Sequence, residues 1–114
     1  MMIILSWPAK ALHPNARVHW AVKAKAAKAY RKEAWAKAAS EKCPGIKDAK
    51  VIQVGVYFYP PDKRRRDIDG MLSAIKSGLD GIADGLGVND NTFQLALKRC
   101  EPMKDGQVRI ILSW

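Results

Sequence analysis

The sequence has few cysteine and histidine residues. Its 114 residues include two cysteines, Cys43 and Cys100, and two histidines, and they form no CxxC pair and no Cys/His cluster. This scarcity excludes a disulfide framework and a zinc site of the usual ligand spacing, and we expect both thiols to be reduced. His13 and His19 have no clear acidic partner in the sequence, and we interpret both as ordinary surface or loop residues.

Long apolar runs are missing as well. No stretch approaches the roughly 20 apolar residues that a bilayer-spanning helix needs, so we expect no membrane partner. The first residues lack the basic start and the apolar length of a signal peptide. Because 114 residues with 48% apolar side chains are enough for one core and too few for two, we predict a single domain covering residues 1–114.

Acidic residues are scarce. The chain has 11 Asp and Glu against 20 Lys and Arg, which gives a formal net charge of +9. Such a surplus favours a polyanionic partner, with nucleic acid first and an acidic membrane surface second. Lys25, Lys28 and Lys32 share one face at helical spacing. They either contact phosphates, which positions a protein without reading sequence, or form the solvated face of an ordinary amphipathic helix.

The predicted elements follow the order β-α-β-α-β-β. Strands are predicted where apolar, β-branched and aromatic residues prevail, and helices where Ala, Lys and Leu recur. The predicted strands cover 2–7, 51–59, 93–99 and 107–112, and the predicted helices cover 18–40 and 69–86. The last two strands are expected to form a hairpin around residues 102–106. This pattern indicates an α+β domain with a mixed sheet and two helices on one face.

The segment after the second predicted strand concentrates charge of both signs. Four consecutive cations precede two acids, Asp67 and Asp69, that have one residue between them. The cations are Lys63, Arg64, Arg65 and Arg66. Paired carboxylates repel each other unless a cation lies between them, and Mg²⁺ takes oxygen ligands while keeping some of its waters. Carboxylates with phosphate oxygens form the usual site of metal-assisted phosphodiester hydrolysis. Alternatively, one of the two acids caps the following helix.

A third acid for such a site must come from elsewhere in the chain. Asp80 follows Asp69 by eleven residues, about 16 Å along a helix, which is too far to share one ion. Lys76 lies about 10 Å along the same helix, within reach of a substrate phosphate. Asp90 lies in the turn after this helix. It meets the acid pair only if the next strand brings it back or if a second subunit supplies it.

The stretch from Arg64 to Asn91 resembles the RusA family of Holliday junction resolvases, most closely its phage and prophage branch. The family pattern is a strand that ends in a Pro-rich basic turn, then R-D-x-D-N, a helix with Lys and Asp, and an L-G-x-x-D-D turn. The resemblance covers roughly residues 56–99. It implies a cytoplasmic protein, encoded by a bacterium or a phage. It also implies a homodimeric endodeoxyribonuclease of DNA recombination and repair, which uses Mg²⁺, with Mn²⁺ as a substitute, to make paired cuts in four-way DNA junctions.

By this resemblance the metal-binding and catalytic acids are Asp67, Asp69 and Asp90. Asp80 is a further helix acid, and Lys76, at its usual spacing before Asp80, is the catalytic lysine. The four cations before the acid pair and the lysines of the first helix are expected to bind the DNA backbone. Affinity for DNA is then expected to fall steeply with salt.

Three positions depart from the family pattern. Gly70 follows the acid pair where the family commonly has Asn, Ser73 stands where its lysine most often lies, and Asn89 leaves the later acidic pair one carboxylate short. These departures bear on the role of Lys76 and on the level of activity. Two alternatives stay open at this point. One is a non-catalytic basic DNA- or RNA-binding module, and the other is a small oligomerisation or structural phage protein whose charge aids assembly.

Overall fold

The computed structural model describes residues 1–114 as an α+β domain with four strands and three α-helices. The strands are β1 (Met2–Ser6), β2 (Ile52–Tyr59), β3 (Phe93–Arg99) and β4 (Gln107–Ser113), and the helices are α1 (Trp20–Ala39), α2 (Ile68–Ala74) and α3 (Lys76–Leu86). The strands form one mixed sheet in the order β1-β4-β2-β3. The predicted fold class is therefore confirmed.

The helices cover one face of this sheet. Along β1, β2 and β4 buried and exposed side chains alternate, as expected for a sheet with one covered face. The buried members form the sheet half of the core: Ile3, Leu5, Ile52, Val54, Val56, Phe58, Val108, Ile110 and Leu112. Helix residues such as Ala34, Ile75 and Ile82 complete the same cluster. The opposite face of the sheet has no helix packed on it.

The predicted hairpin between the last two strands is wrong. β3 pairs in parallel with β2, and β4 pairs antiparallel with β2 on its other side and with β1. After β3 the chain crosses the end of β2, where the Cys100 amide donates to Phe58 O and the Met103 amide donates to Pro60 O, both at 2.8 Å. Every second side chain of β4 is buried, as expected for a central strand. Most side chains of β3 are exposed, as expected for an edge strand.

The predicted second helix is broken at Ile75. Its backbone lies outside the helical region (φ −100°, ψ 3°), and its amide is shared between Met71 O at 3.3 Å and Leu72 O at 3.2 Å. The chain therefore has two helices over the region where one was predicted. Ile75 is fully buried in the core between the two helices, and the local helix propensity of this segment did not reveal the break.

α1 and α3 pack closely because small residues face each other. A Cβ atom built on Gly85 would lie 2.7 Å from Trp35 O and 2.8 Å from Ala38 Cβ. At Gly81 it would collide with Arg31 O. These glycines lower the helix propensity of α3, but they let the two backbones approach where no side chain fits. The contact fixes α1, and with it the lysine face, against the rest of the domain.

Candidate functional site

Residues 60–67 form a loop between the end of β2 and the start of α2. Asp62 organises this loop, because its Oδ1 accepts from Arg66 Nη1 and from the Arg64 amide, both at 2.9 Å. The hydrogen bond from Arg66, followed by the one from the Arg64 amide, lowers the pKa of Asp62 below its ordinary value of 3.8. Arg99 joins from the end of β3, where its Nη2 donates to Arg66 O at 2.7 Å.

These residues line a cavity of about 360 Å³ that is rich in cations. Its charged residues are Lys63, Arg64, Arg65, Arg66, Arg99 and Asp67. The four consecutive cations were predicted from the sequence, but Arg99 was not. Arg99 reaches the loop because the parallel register places it beside Phe58 at the end of β2. The predicted hairpin would have directed β3 elsewhere, so no local signal pointed to this fifth cation.

The acid pair lies at the start of α2, beside this cavity. Asp67 occupies the N-cap position with extended backbone (φ −80°, ψ 142°), but its side chain makes no capping hydrogen bond. Asp69 Oδ1 accepts only from the neighbouring Gly70 amide, at 3.0 Å. Both carboxylates are exposed, and neither forms an ion pair despite the surrounding cations. The expected cap is thus not formed by Asp67, and both side chains are free to bind a ligand.

His13 lies on the other side of Asp67. The two residues line a cavity of about 200 Å³ together with Asn15, Arg65 and Arg66. Burial and, to a smaller extent, the Arg66 charge lower the pKa of His13 below its usual 6.5, so the neutral imidazole prevails at pH 7. The sequence predicted an ordinary loop histidine, and only the fold of the loop against α2 brings it beside the acid pair.

Lys76 lies in a different cavity, between α1 and the two following helices. This cavity of about 260 Å³ is also lined by Lys23, Ser73 and Asp80. Its lining includes neither Asp67 nor Asp69. Lys76 and Asp80 therefore line one cavity, and the acid pair does not line it.

Asp90 lies at the opposite end of the sheet from the acid pair. It precedes β3, which begins with Phe93 beside Ile52, at the start of β2. Asp67 follows the end of β2, so the two acids are separated by about 20 Å along the strand direction. Asp90 instead lines a cavity of about 310 Å³ with Arg31 and Asp80.

Within one protomer the next strand does not bring Asp90 to the acid pair, and a second subunit is the alternative that stays open. No group of three or more His, Cys, Asp or Glu side chains in the structure is arranged to hold a metal ion. Mg²⁺ is commonly bound by one or two carboxylates together with substrate phosphates. Asp67 and Asp69 are two exposed carboxylates, and Asp67 lines the cation-rich cavity.

The predicted lysine face of α1 is present. Lys25, Lys28 and Lys32 are exposed, and none of them forms an ion pair with a carboxylate. We call these three residues the α1 lysines. Their charges are available to a polyanion.

The chain is similar to a protein of known sequence but unassigned activity. No protein-family model matches the chain. An uncharacterized protein of Xylella fastidiosa (strain Temecula1) is 40% identical to it over 93 residues, which cover 80% of this chain. The same match covers 61% of the length of the relative. None of the helices combines the length and the apolar character that a membrane crossing requires. The relative has no assigned activity, so the comparison indicates no reaction for this chain.

Proposed function

We propose that the chain is a Mg²⁺-dependent endodeoxyribonuclease that acts as a homodimer on four-way DNA junctions. The observation that carries this proposal is the free carboxylate pair, Asp67 and Asp69, beside a cavity lined by five cations. Metal-assisted phosphodiester hydrolysis needs these two features side by side. The resemblance of residues 56–99 to the RusA family adds the branched DNA substrate, the dimer and a role in recombination and repair in the cytoplasm.

The residues of the site have distinct roles in this proposal. Asp67 and Asp69 hold the divalent ion, with Mn²⁺ as a substitute for Mg²⁺. The cations that line the cavity, Arg99 included, bind the phosphates that flank the cleaved bond and neutralise charge that develops in the transition state. When bound there, a divalent ion would supply a water molecule of lowered pKa as the nucleophile. The α1 lysines bind the sugar-phosphate backbones of the DNA arms.

In this proposal a third carboxylate comes from Asp90 of a second protomer. The separation of about 20 Å between the two ends of β2 leaves Asp90 without access to the acid pair of its own protomer. A two-fold dimer exchanges equivalent surfaces, so each acid pair would receive one Asp90 from the other protomer. Two such sites match the two-fold symmetry of a junction that is cut in pairs.

The test is cleavage of an end-labelled synthetic four-way junction in Mg²⁺. We expect Asp67→Asn and Asp69→Asn to lose about 100-fold or more in rate, because a metal ion contributes several kcal/mol to transition-state stabilisation. Junction binding in EDTA should persist in both variants. Asp105→Asn is the matched control, because Asp105 lies in a left-handed turn (φ 66°) that asparagine tolerates. Cleavage by Asp69→Asn at the wild-type rate would refute the proposal.

Mixed dimers test the shared site. When Asp69→Asn and Asp90→Asn protomers are combined, a dimer with shared sites has one site with both defects and one intact site. We expect the mixture to nick one strand, without the paired cut, whereas each variant alone is inactive. If the mixture stays as inactive as its components, Asp90 does not complete the site of another protomer.

A non-catalytic nucleic-acid-binding module is the second candidate. It is favoured by one observation, the absence of a three-residue metal-binding group within the protomer. This alternative predicts no cleavage with Mg²⁺ or Mn²⁺ and no heat of binding when either ion is titrated into the protein by calorimetry. It also predicts that Asp67→Asn and Asp69→Asn bind junction DNA at least as well as the wild type, because each change removes a negative charge near the DNA.

A further inference from the structure

The face of the sheet opposite the helices carries an aromatic and basic cluster. Tyr57 and Tyr59 alternate with buried residues of β2 and are half-buried on this face. The strand register places Arg109 and Lys98 on either side of Tyr57, in one row across three strands. The Arg109 guanidinium lies over the Tyr59 ring, 4.4 Å from its centroid. We call these four residues the open-face cluster.

Gly55 shapes the surface around Tyr57. A Cβ atom built on Gly55 would lie 3.1 Å from Cε2 of the Tyr57 ring. The ring therefore leans along the sheet, over the space that a side chain at position 55 would fill. Two tyrosines at alternate positions of one strand lie about 7 Å apart on the same face. Tyr57 thus presents an aromatic ring on a rigid element, beside a Tyr59 ring that is covered by the Arg109 guanidinium.

All charged residues in the strands of the sheet are cations. None of the four strands contains an acidic residue, so the cations of the open-face cluster have no acidic partner on this surface. A two-fold interface would bring the same surface against itself, with Arg109 and Lys98 facing a copy that also lacks acids. The exposed apolar residues of this face, Met2, Ile4 and Ile111, lie on β1 and β4. At the open-face cluster itself the charge distribution disfavours a second copy of the chain, and it favours a polyanion that also offers flat rings.

We propose that the open-face cluster binds single-stranded nucleic acid, with Tyr57 stacking on a base, Tyr59 holding the Arg109 guanidinium in place, and Lys98 and Arg109 contacting phosphates. Stacked aromatic side chains beside cations on a sheet suit a single strand, because every base has a flat face and every linkage has a charge. In a duplex those base faces are already stacked. The inference goes beyond the endonuclease proposal, since none of its residues belongs to the acid pair or to the cation-rich cavity.

Fluorescence anisotropy with a labelled oligothymidine of about 12 nucleotides, in EDTA, tests the inference. We expect Tyr57→Ala to bind about 5- to 150-fold more weakly, which corresponds to one lost base stack. Tyr57→Phe keeps the ring and should bind as the wild type does. Lys98→Ala should lower the slope of log K against log salt by about 0.7, the value for one phosphate contact on a single strand. Thermal unfolding checks that each variant is folded.

Photo-cross-linking with 5-iodouracil in the same oligonucleotide adds a positional readout. We expect cross-links in the peptide that carries Tyr57 and Tyr59. The inference is overturned if Tyr57→Ala and Lys98→Ala both bind as the wild type does and the cross-links map to other elements. It is also overturned if Tyr57→Ala turns a dimer into monomers in sedimentation without changing oligonucleotide affinity, because the face is then a subunit interface. None of these measurements involves cleavage. Failure of this inference therefore leaves the endonuclease proposal standing, and failure of the endonuclease proposal leaves this inference standing.

Discussion

Replacing Gly85 with alanine tests how closely α1 and α3 must approach each other. The new Cβ would lie 2.7 Å from Trp35 O, 2.8 Å from Ala38 Cβ and 3.1 Å from the Ala39 amide nitrogen. Real Cβ atoms essentially never approach other atoms to less than 3.0 Å. Since backbone atoms and a Cβ cannot rotate away as the end of a long side chain does, the two helices must shift apart.

The expected effect is a net loss of stability. Alanine gains up to about 1 kcal/mol over glycine in helix propensity, whereas overpacking a close contact costs about 1–3 kcal/mol, and more when backbone must move. We expect Gly85→Ala to lower the free energy of unfolding by about 1–2 kcal/mol, or the Tm by about 4–8 °C. Urea unfolding followed by circular dichroism measures this change.

Gly70→Ala is the matched control for this substitution. Gly70 also lies in a helix, but a Cβ built there has no heavy atom within 4 Å. The propensity gain is then unopposed, and we expect the control to be as stable as the wild type or up to about 1 kcal/mol more stable. If Gly85→Ala is also as stable as the wild type, the close approach of α1 and α3 does not depend on the missing side chain.

Three further predictions concern the ionisation of Asp62, a partly buried hydrogen bond of Tyr30 and the charge of the α1 lysines. Because hydrogen bonds depress the pKa of Asp62, its stabilising contribution is present above pH 3.8 and is lost as the pH falls through the folded-state pKa. An NMR titration should therefore place its midpoint below 3.8, and a midpoint at or above 3.8 contradicts the bond to Arg66. Tyr30→Phe removes a 2.8 Å bond to Ser6 O and should cost about 1 kcal/mol in urea unfolding; unchanged stability argues against that bond. Replacing the three α1 lysines with alanine should lower the salt slope for junction binding by about 2 to 3, and an unchanged slope identifies them as a solvated face.

Much of the secondary structure was predictable because its causes are local. β3 covers Phe93–Arg99 as predicted, and both the first and the last residue of α1 lie within two residues of the predicted bounds. Alternation of apolar residues and helix propensity act over a few neighbours, so they can be read from short segments. The α+β class follows from the order of these elements, and the single domain from the length of the chain.

The errors arose where distant segments compete. Ile75 leaves the helical conformation (φ −100°, ψ 3°) at a point where its side chain is fully buried, and no proline marks the position in the sequence. β4 enters between β1 and β2 and does not pair with β3, although the two strands are adjacent in the chain. Strand order depends on which strand buries most apolar surface, and that comparison involves all four strands at once.

The amino-acid sequence by itself determined the charge excess, the run of cations before Asp67 and Asp69, and the positions of most helices and strands. Only the tertiary structure decided which charged groups meet. Parallel pairing of β2 and β3 carries Arg99 to the acid pair and leaves Asp90 at the far end of the sheet. The reason is physical: the composition of a segment is a local property, whereas proximity in a folded chain is set by strand order and register, which depend on the packing of the whole core.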